Sequence, residues 1–163
     1  MSDDVHSFKL LGVNDGEVIA LEFASTGWVG TLEVDAHKGL AGFNGRDDLA
    51  GFGGDDASNG GIGAGILAGD RGRDIMTGGT GADVVKFSGR FDVDTITDFN
   101  VAADVLDSDA GSAEAQSVEA FLASCGQRGN SVRYEALDDG KNVIILENVT
   151  LAELSAAEHV FVI

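Results

Sequence analysis

The chain has 163 residues, 28 acidic against 10 basic side chains, a formal charge of −18, 24 glycines, no proline and a single cysteine. That length suits one domain, or one with a small extension, and a hydrophobic content of 44% argues against wholesale disorder. No apolar run of about 18 residues is present, which excludes a transmembrane helix. The charge argues against binding nucleic acid or an anionic membrane through a basic patch and favours cations as partners.

Cys125 stands alone, so no intrachain disulfide forms. The opening MSDDVHSFKLLG is acidic and lacks the basic stretch and apolar core of a Sec-type signal peptide. Over residues 1–41, FKLLG, VIALEF and WVGTLEV read as three short strands separated by Asn14-Asp15-Gly16 and Ser25-Thr26-Gly27. They are expected to form either a β-cap on the segment that follows or degenerate early turns of it, with Trp28 as a core or cap residue.

Fourteen of the 24 glycines fall between Gly42 and Gly81, in a nine-residue frame: GFNGRDDLA, GFGGDDASN, GGIGAGILA, GDRGRDIMT and GGTGADVVK. Position 4 is always glycine (Gly45, Gly54, Gly63, Gly72, Gly81). Position 6 is Asp47, Asp56, Asp74 and Asp83, with Gly65 the exception. Position 8 is Leu49, Leu67, Met76 and Val85, with Ser58 the exception. A flexible linker has no reason to keep these offsets. The units resemble the G-G-x-G-x-D-x-U-x repeats of the RTX (hemolysin-type) calcium-binding family.

The same pattern has a physical reading. Positions 7–9 form a short strand with the side chain at position 8 turned inward, and positions 1–6 form a turn in which glycine permits close backbone approach. Two units make one winding of a parallel coil, so aspartates 18 residues apart stack on one edge at a strand spacing of roughly 4.8 Å. A Ca²⁺ ion, with oxygen ligands at about 2.3–2.6 Å, fits between two stacked carboxylates, with turn carbonyls at glycines such as Gly54, Gly72 and Gly81 completing its shell. Asp56 and Asp74 form the complete pair. Asp47 and Asp83 lie on the other edge, on either side of Gly65, and bind more weakly or through water. Asp48 and Asp55 flank these positions, and Asp70 adds negative field. Several ions are expected.

Counting on, Asp92 takes position 6 of FSGRFDVDT, 18 residues after Asp74. The stretch DVDTITDF resembles the D-x-I-x-D-F segment that closes the repeats in serralysin-like C-terminal domains. That resemblance makes Asp94 and Asp98 its two aspartates, and makes NVAADVLD the capping segment. From Ser112, SAEAQSVEAFLASCG carries a helical stripe capped by Ser112 and ended by Gly126. SVRYEAL and KNVIILE read as a hairpin around Asp138-Asp139-Gly140. The tail NVTLAELSAAEHVFVI resembles the family's closing Leu-x-x-Leu element and last strand, and its end resembles the uncleaved C-terminal signal of type I secretion substrates.

The expected fold is therefore all-β: a parallel β-roll of nonapeptide repeats over 42–95, preceded by residues 1–41 and followed over 96–163 by a C-terminal cap with a hairpin, a strand and one helix. His6, His37 and His159 form no H-E-x-x-H motif, and neither a G-x-S-x-G elbow nor a phosphate loop is present. The resemblance implies a secreted, extracellular bacterial protein without catalysis of its own. It would fold on calcium after passing the type I secretion machinery, with a cell-surface partner as one candidate target. The alternative is a calcium-dependent module binding extracellular polysaccharide on behalf of a secreted enzyme.

Overall fold

Side chains two residues apart in a strand point the same way, so the Asp at position 6 and the apolar residue at position 8 share one face. In the computed structural model, which describes residues 5–10, 18–20, 29–34, 39–108, 118–135, 141–157 and 161–162, that shared face is the interior of a coil. One sheet runs in the order β1 (Val5–Leu10), β3 (Val29–Val34), β5 (Arg46–Ala50), β7 (Ile66–Ala68), β9 (Val84–Phe87), β11 (Val105–Ser108), β15 (Phe161–Val162). The other runs β2 (Val18–Ala20), β4 (Gly39–Ala41), β6 (Ala57–Asn59), β8 (Ile75–Thr77), β10 (Val93–Ile96), β14 (Val143–Glu147), β13 (Ser131–Glu135), β12 (Cys125–Arg128). From β1 to β12 successive strands alternate between the sheets, and every neighbouring pair is parallel except within β12–β13–β14. The chain is a parallel β-roll. Residues 1–41 supply β1 to β4, which lie in register beneath β5 and β6 as earlier rungs of the same ladders. Trp28 lies outside the described residues.

The core is narrow. Leu49, Leu67, Val85 and Leu106 stack on one side, and Leu40, Ser58, Met76, Ile96 and Leu146 on the other, all buried. Turn positions 2 and 3 continue the ladder between the strands. Ile62 N–H donates to Phe43 O at 2.6 Å and Gly63 N–H to Thr80 O at 2.8 Å. The position-4 glycines stack so closely that a Cβ on Gly63 would overlap Gly45 O, and one on Gly72 would overlap Gly54 O, at φ values of +128° and +146°. Phe43 and Phe52, at position 2, hold the left-handed conformation with φ of 66° and 68°.

The regular frame ends after β9. Met76 pairs with Ile96 and Val85 with Leu106, so these two windings are longer than the 18-residue windings of the repeats. Phe87 and Phe91 fill the widened turn, ring centroids 5.0 Å apart, and Asn142 braces it by accepting Phe91 N–H at 3.2 Å and donating to Gly89 O at 3.2 Å. Beyond it, β13 and β14 pair antiparallel as expected, from Ser131↔Glu147 to Glu135↔Val143, with the turn at 136–140 outside the described residues.

The helical expectation needs correction. Helix α1 spans only Val118–Ala123, residues 109–117 are not described, and Cys125 and Gly126 belong to β12, opposite Tyr134 and Arg133. Pairing with the edge of β13 through a two-residue turn, Gly129-Asn130, overrides the helical stripe there. Phe121 then stacks on Tyr134 with centroids 4.2 Å apart. A second helix, α2 (Leu151–Ala156), replaces the expected total of one. Thr150 and Glu153 form its capping box. Gln127 links it to the hairpin, accepting Leu151 N–H at 2.7 Å. No helix among the described residues is long and apolar enough to cross a membrane.

Two substitutions test this packing. Ser58 buries a hydroxyl without a hydrogen-bond partner between Leu40 and Met76. Ser58→Ala is expected to stabilise the fold by about 1 kcal/mol in denaturant melts, since an unmet buried polar group is lost. Gly72→Ala is expected to cost about 3 kcal/mol or more, because a clash with backbone adds to a strained φ; a near-neutral effect would contradict the stacked-turn geometry.

Candidate metal centre: two columns of inward aspartates

Each inward aspartate stands at the entrance to its strand, where the winding turns a corner. One carboxylate oxygen ties that winding to the one before. Asp56 N–H donates to Asp74 Oδ1 at 2.7 Å, and Gly65 N–H to Asp83 Oδ1 at 2.7 Å, both across 18 residues. The column continues past the regular frame, with Asp74 N–H donating to Asp94 Oδ1 at 3.0 Å and Asp83 N–H to Asp104 Oδ1 at 3.0 Å. One edge therefore carries Asp56, Asp74 and Asp94, and the other carries Asp47, Gly65, Asp83 and Asp104.

The second oxygen turns inward against the glycine at position 1 of its own unit. A Cβ on Gly42 or Gly78 would stand 2.7 Å from the Oδ2 of Asp47 or Asp83, and one on Gly69 would overlap Asp74 Oδ2. The missing side chain makes the space the carboxylate occupies. The Oδ2 atoms of Asp47, Asp74, Asp83 and Asp94 are buried and meet no hydrogen-bond donor. Asp74 and Asp83 are 1% exposed and Asp94 0%.

Burial dominates the electrostatics. It raises Asp47 from 3.8 to about 6. Asp74 and Asp94 are also raised, first by burial, against the opposing pull of the backbone N–H each accepts; when Asp94 is protonated, a carboxyl-to-carboxyl hydrogen bond raises it further and lowers Asp74, and neighbouring carboxylates raise both: Asp55 and Asp70 for Asp74, Asp74 and Asp92 for Asp94. Asp83 is raised by burial and then by the charges of Asp104 and Asp98, while the Gly65 N–H pulls the other way.

The expected site residues thus divide. Asp47, Asp56, Asp74, Asp83 and Asp94 are in the columns, and Gly54, Gly72 and Gly81 line the turns between windings. Asp92 is not in a column. It adopts φ 57° and faces Arg90 at 3.1 Å, because two extra residues in the preceding turn hand its place to Asp94. Asp98 sits outside the columns and uses both oxygens on backbone, accepting Gly78 N–H at 2.8 Å and Gly79 N–H at 2.9 Å. Asp55 accepts Arg73 N–H at 2.9 Å. Asp104 escaped the nine-residue count. Its Oδ2 accepts Asn100 N–H at 2.8 Å, so both its oxygens are engaged. The signal that finds Asp94 and Asp104 is Asp-x-apolar (Asp94-Thr95-Ile96, Asp104-Val105-Leu106), whatever the spacing.

Among the described residues no three His, Cys, Asp or Glu side chains converge. The oxygen atoms offered along the columns are those of aspartates and backbone carbonyls, the donor type that calcium prefers. No protein-family model matches the chain, and no curated protein matches it.

The raised carboxyls fix a pH dependence. With folded values above the unfolded 3.8, the metal-free roll binds more protons than the unfolded chain. The stability they confer is present in mild acid and is lost as pH rises through about 6, and further as Asp94 ionises. In chelator, the β-sheet signal in far-UV circular dichroism is expected to be larger at about pH 5 than at about pH 8. Asp94→Asn keeps the acceptor for Asp74 N–H and is expected to raise the signal at about pH 8 and flatten the profile. A β-sheet signal that climbs with pH in chelator would refute this account.

Proposed function

We propose that the chain is a calcium-binding β-roll of the RTX kind, secreted, wound by the ion, and without catalysis of its own. The observation that carries this reading is the set of buried carboxylate oxygens at Asp47, Asp74, Asp83 and Asp94 that meet no donor. Ionised, they need a cation. Asp56 with Asp74, and Asp74 with Asp94, would hold ions on one edge together with turn carbonyls, and Asp83 would supply the other edge. The ion would supply the charge that lets stacked carboxylates ionise inside the coil. Gly65 leaves one winding of that second edge without a carboxylate, so its sites are weaker.

Extracellular modules bind calcium at about 10⁻⁴–10⁻³ M, far above cytosolic levels. The roll would stay unwound inside the cell and wind outside, which suits export as a loose chain. Binding to the wound state alone stabilises it, by about 2.7 kcal/mol at 100 times Kd. The absence of catalysis in this reading rests on the lack of catalytic motifs and on Cys125, whose thiol burial pushes up to about 12. A second reading, a calcium-dependent polysaccharide-binding module, is favoured by one feature. A groove of about 590 Å³ on the β12–β14 sheet is lined by Arg128, Ser131, Arg133, Glu135 and Ile145.

In chelator at neutral pH the far-UV circular dichroism is expected to lose its β-sheet signal, and millimolar calcium to restore it. Asp74→Asn, which keeps an acceptor for Asp56 N–H, is expected to raise the calcium midpoint by about tenfold or more, equivalent to about 1.4 kcal/mol. Full β-structure in excess chelator, with a melting temperature unmoved by calcium, would sink the reading. Calcium-dependent retention on a polyuronate column would favour the second.

A further inference from the structure

Away from the aspartate columns, two Asn-Gly dipeptides lie in wound backbone: Asn44-Gly45 in the turn before β5, and Asn59-Gly60 at the end of β6. In this dipeptide the side-chain amide is most open to attack by the next backbone nitrogen, because glycine places no side chain in the way. Both asparagine side chains are exposed. Both attacking nitrogens are restrained, since Gly45 N–H donates to Ile62 O at 2.8 Å and Gly60 N–H to Thr77 O at 2.9 Å. Asn44 is bridged to Ile62, and Asn59 lies in a rung between Ala41 and Thr77 with its carbonyl accepting Gly42 N–H at 2.9 Å. Gly60 is buried, and even a Cβ there would stand 2.6 Å from Gly78 O. Ring closure must therefore break an inter-winding hydrogen bond and swing the asparagine out of its extended conformation.

We propose that Asn44 and Asn59 are sites of spontaneous deamidation gated by the roll itself, shielded while it is wound and reactive when it unwinds. The glycine nitrogen bonds to the asparagine Cγ and gives up its proton. The Cγ–amide bond breaks and ammonia leaves, closing a five-membered succinimide. Water then opens the ring at either carbonyl, giving aspartate or isoaspartate. Nothing is oxidised or reduced, and water is the only co-reactant. Aspartate leaves the backbone unaltered, whereas isoaspartate routes the chain through the side-chain carbon and adds one backbone atom to a nonapeptide. At Asn59 that atom throws Gly60 and the rung above out of phase with Thr77, and at Asn44 it displaces Asp47 from its column. Damage taken while unwound thus opposes rewinding, and the loss of fold becomes one-way. This gate needs only the hydrogen-bonded ladder and is independent of the calcium reading.

The test incubates the full chain at neutral pH, wound and in guanidinium chloride, and follows the amide-to-acid mass gain at each asparagine by peptide mapping. Asn44→Gln and Asn59→Gln serve as blanks. Conversion is expected to be at least about tenfold slower in the wound protein, because it proceeds only through local opening. The aged fraction carrying isoaspartate is expected not to regain its β signal on removal of denaturant, whereas an Asn44→Asp/Asn59→Asp variant, with the same charge on an unaltered backbone, regains it. Equal rates in the two states would overturn the gate, and full recovery of the isoaspartate fraction would overturn the one-way step. A parallel arm in chelator, monitored by circular dichroism, separates the two ideas. A chain that stays wound and shielded there defeats the calcium reading alone, and one that unwinds without deamidating faster defeats the gate alone.

Discussion

The bond from a backbone N–H into the inward carboxylate of the next winding is the constraint from which the rest of this structure follows. It places an aspartate at the corner of each winding, on the same face as the core side chain two residues later. One oxygen is satisfied by the ladder. At Asp47, Asp74, Asp83 and Asp94 the other is pressed into the interior, where water does not reach and no donor waits. A buried carboxylate in that position is tolerable when it carries a proton or faces a cation, and unfavourable otherwise. The fold is thus sensitive, at every winding, to what balances that oxygen.

The glycines follow from the same geometry. Position 1 lacks a side chain because the carboxylate fills its place, or at Gly60 because Gly78 O lies there, and position 4 lacks one because a carbonyl from the previous winding lies there. With so much of each nonapeptide given to the turn, one apolar residue per unit is left for the core. The larger hydrophobic mass is gathered at the C-terminal end, where Phe87, Phe91, Phe99, Phe121 and Tyr134 are buried around the longer windings and the hairpin. The roll is therefore thinly packed along its repeats and firmly packed at one end.

The repeats were legible because their chemistry is local. Glycine, aspartate and an apolar residue at fixed offsets specify the turn, the column and the core without reference to the rest of the chain. Counting by nine failed once the windings lengthened: it chose Asp92, while the likeness to the D-x-I-x-D-F segment supplied Asp94, and the Asp-x-apolar pairing picks out both Asp94 and the missed Asp104. Three of the four strands of residues 1–41 could be read singly, β4 being missed, but their place in the ladders could not, since no repeated glycine or aspartate marks the register there. Around Cys125 a helical stripe and a hairpin edge compete, and pairing with β13 across the tight turn at Gly129-Asn130 decides between them.

In the roll each strand touches only the second strand before it and the second after it, so the cap senses no more than its two nearest rungs. The hairpin strand β14 docks on β10 in one sheet, and β15 docks on β11 in the other. Duplicating a single nonapeptide farther back would send the strands that precede it to the opposite sheet and their aspartates to the opposite edge. Duplicating two would restore both. In either case β14 still meets β10 and β15 still meets β11, so the capped end can remain unchanged while the repeat number drifts.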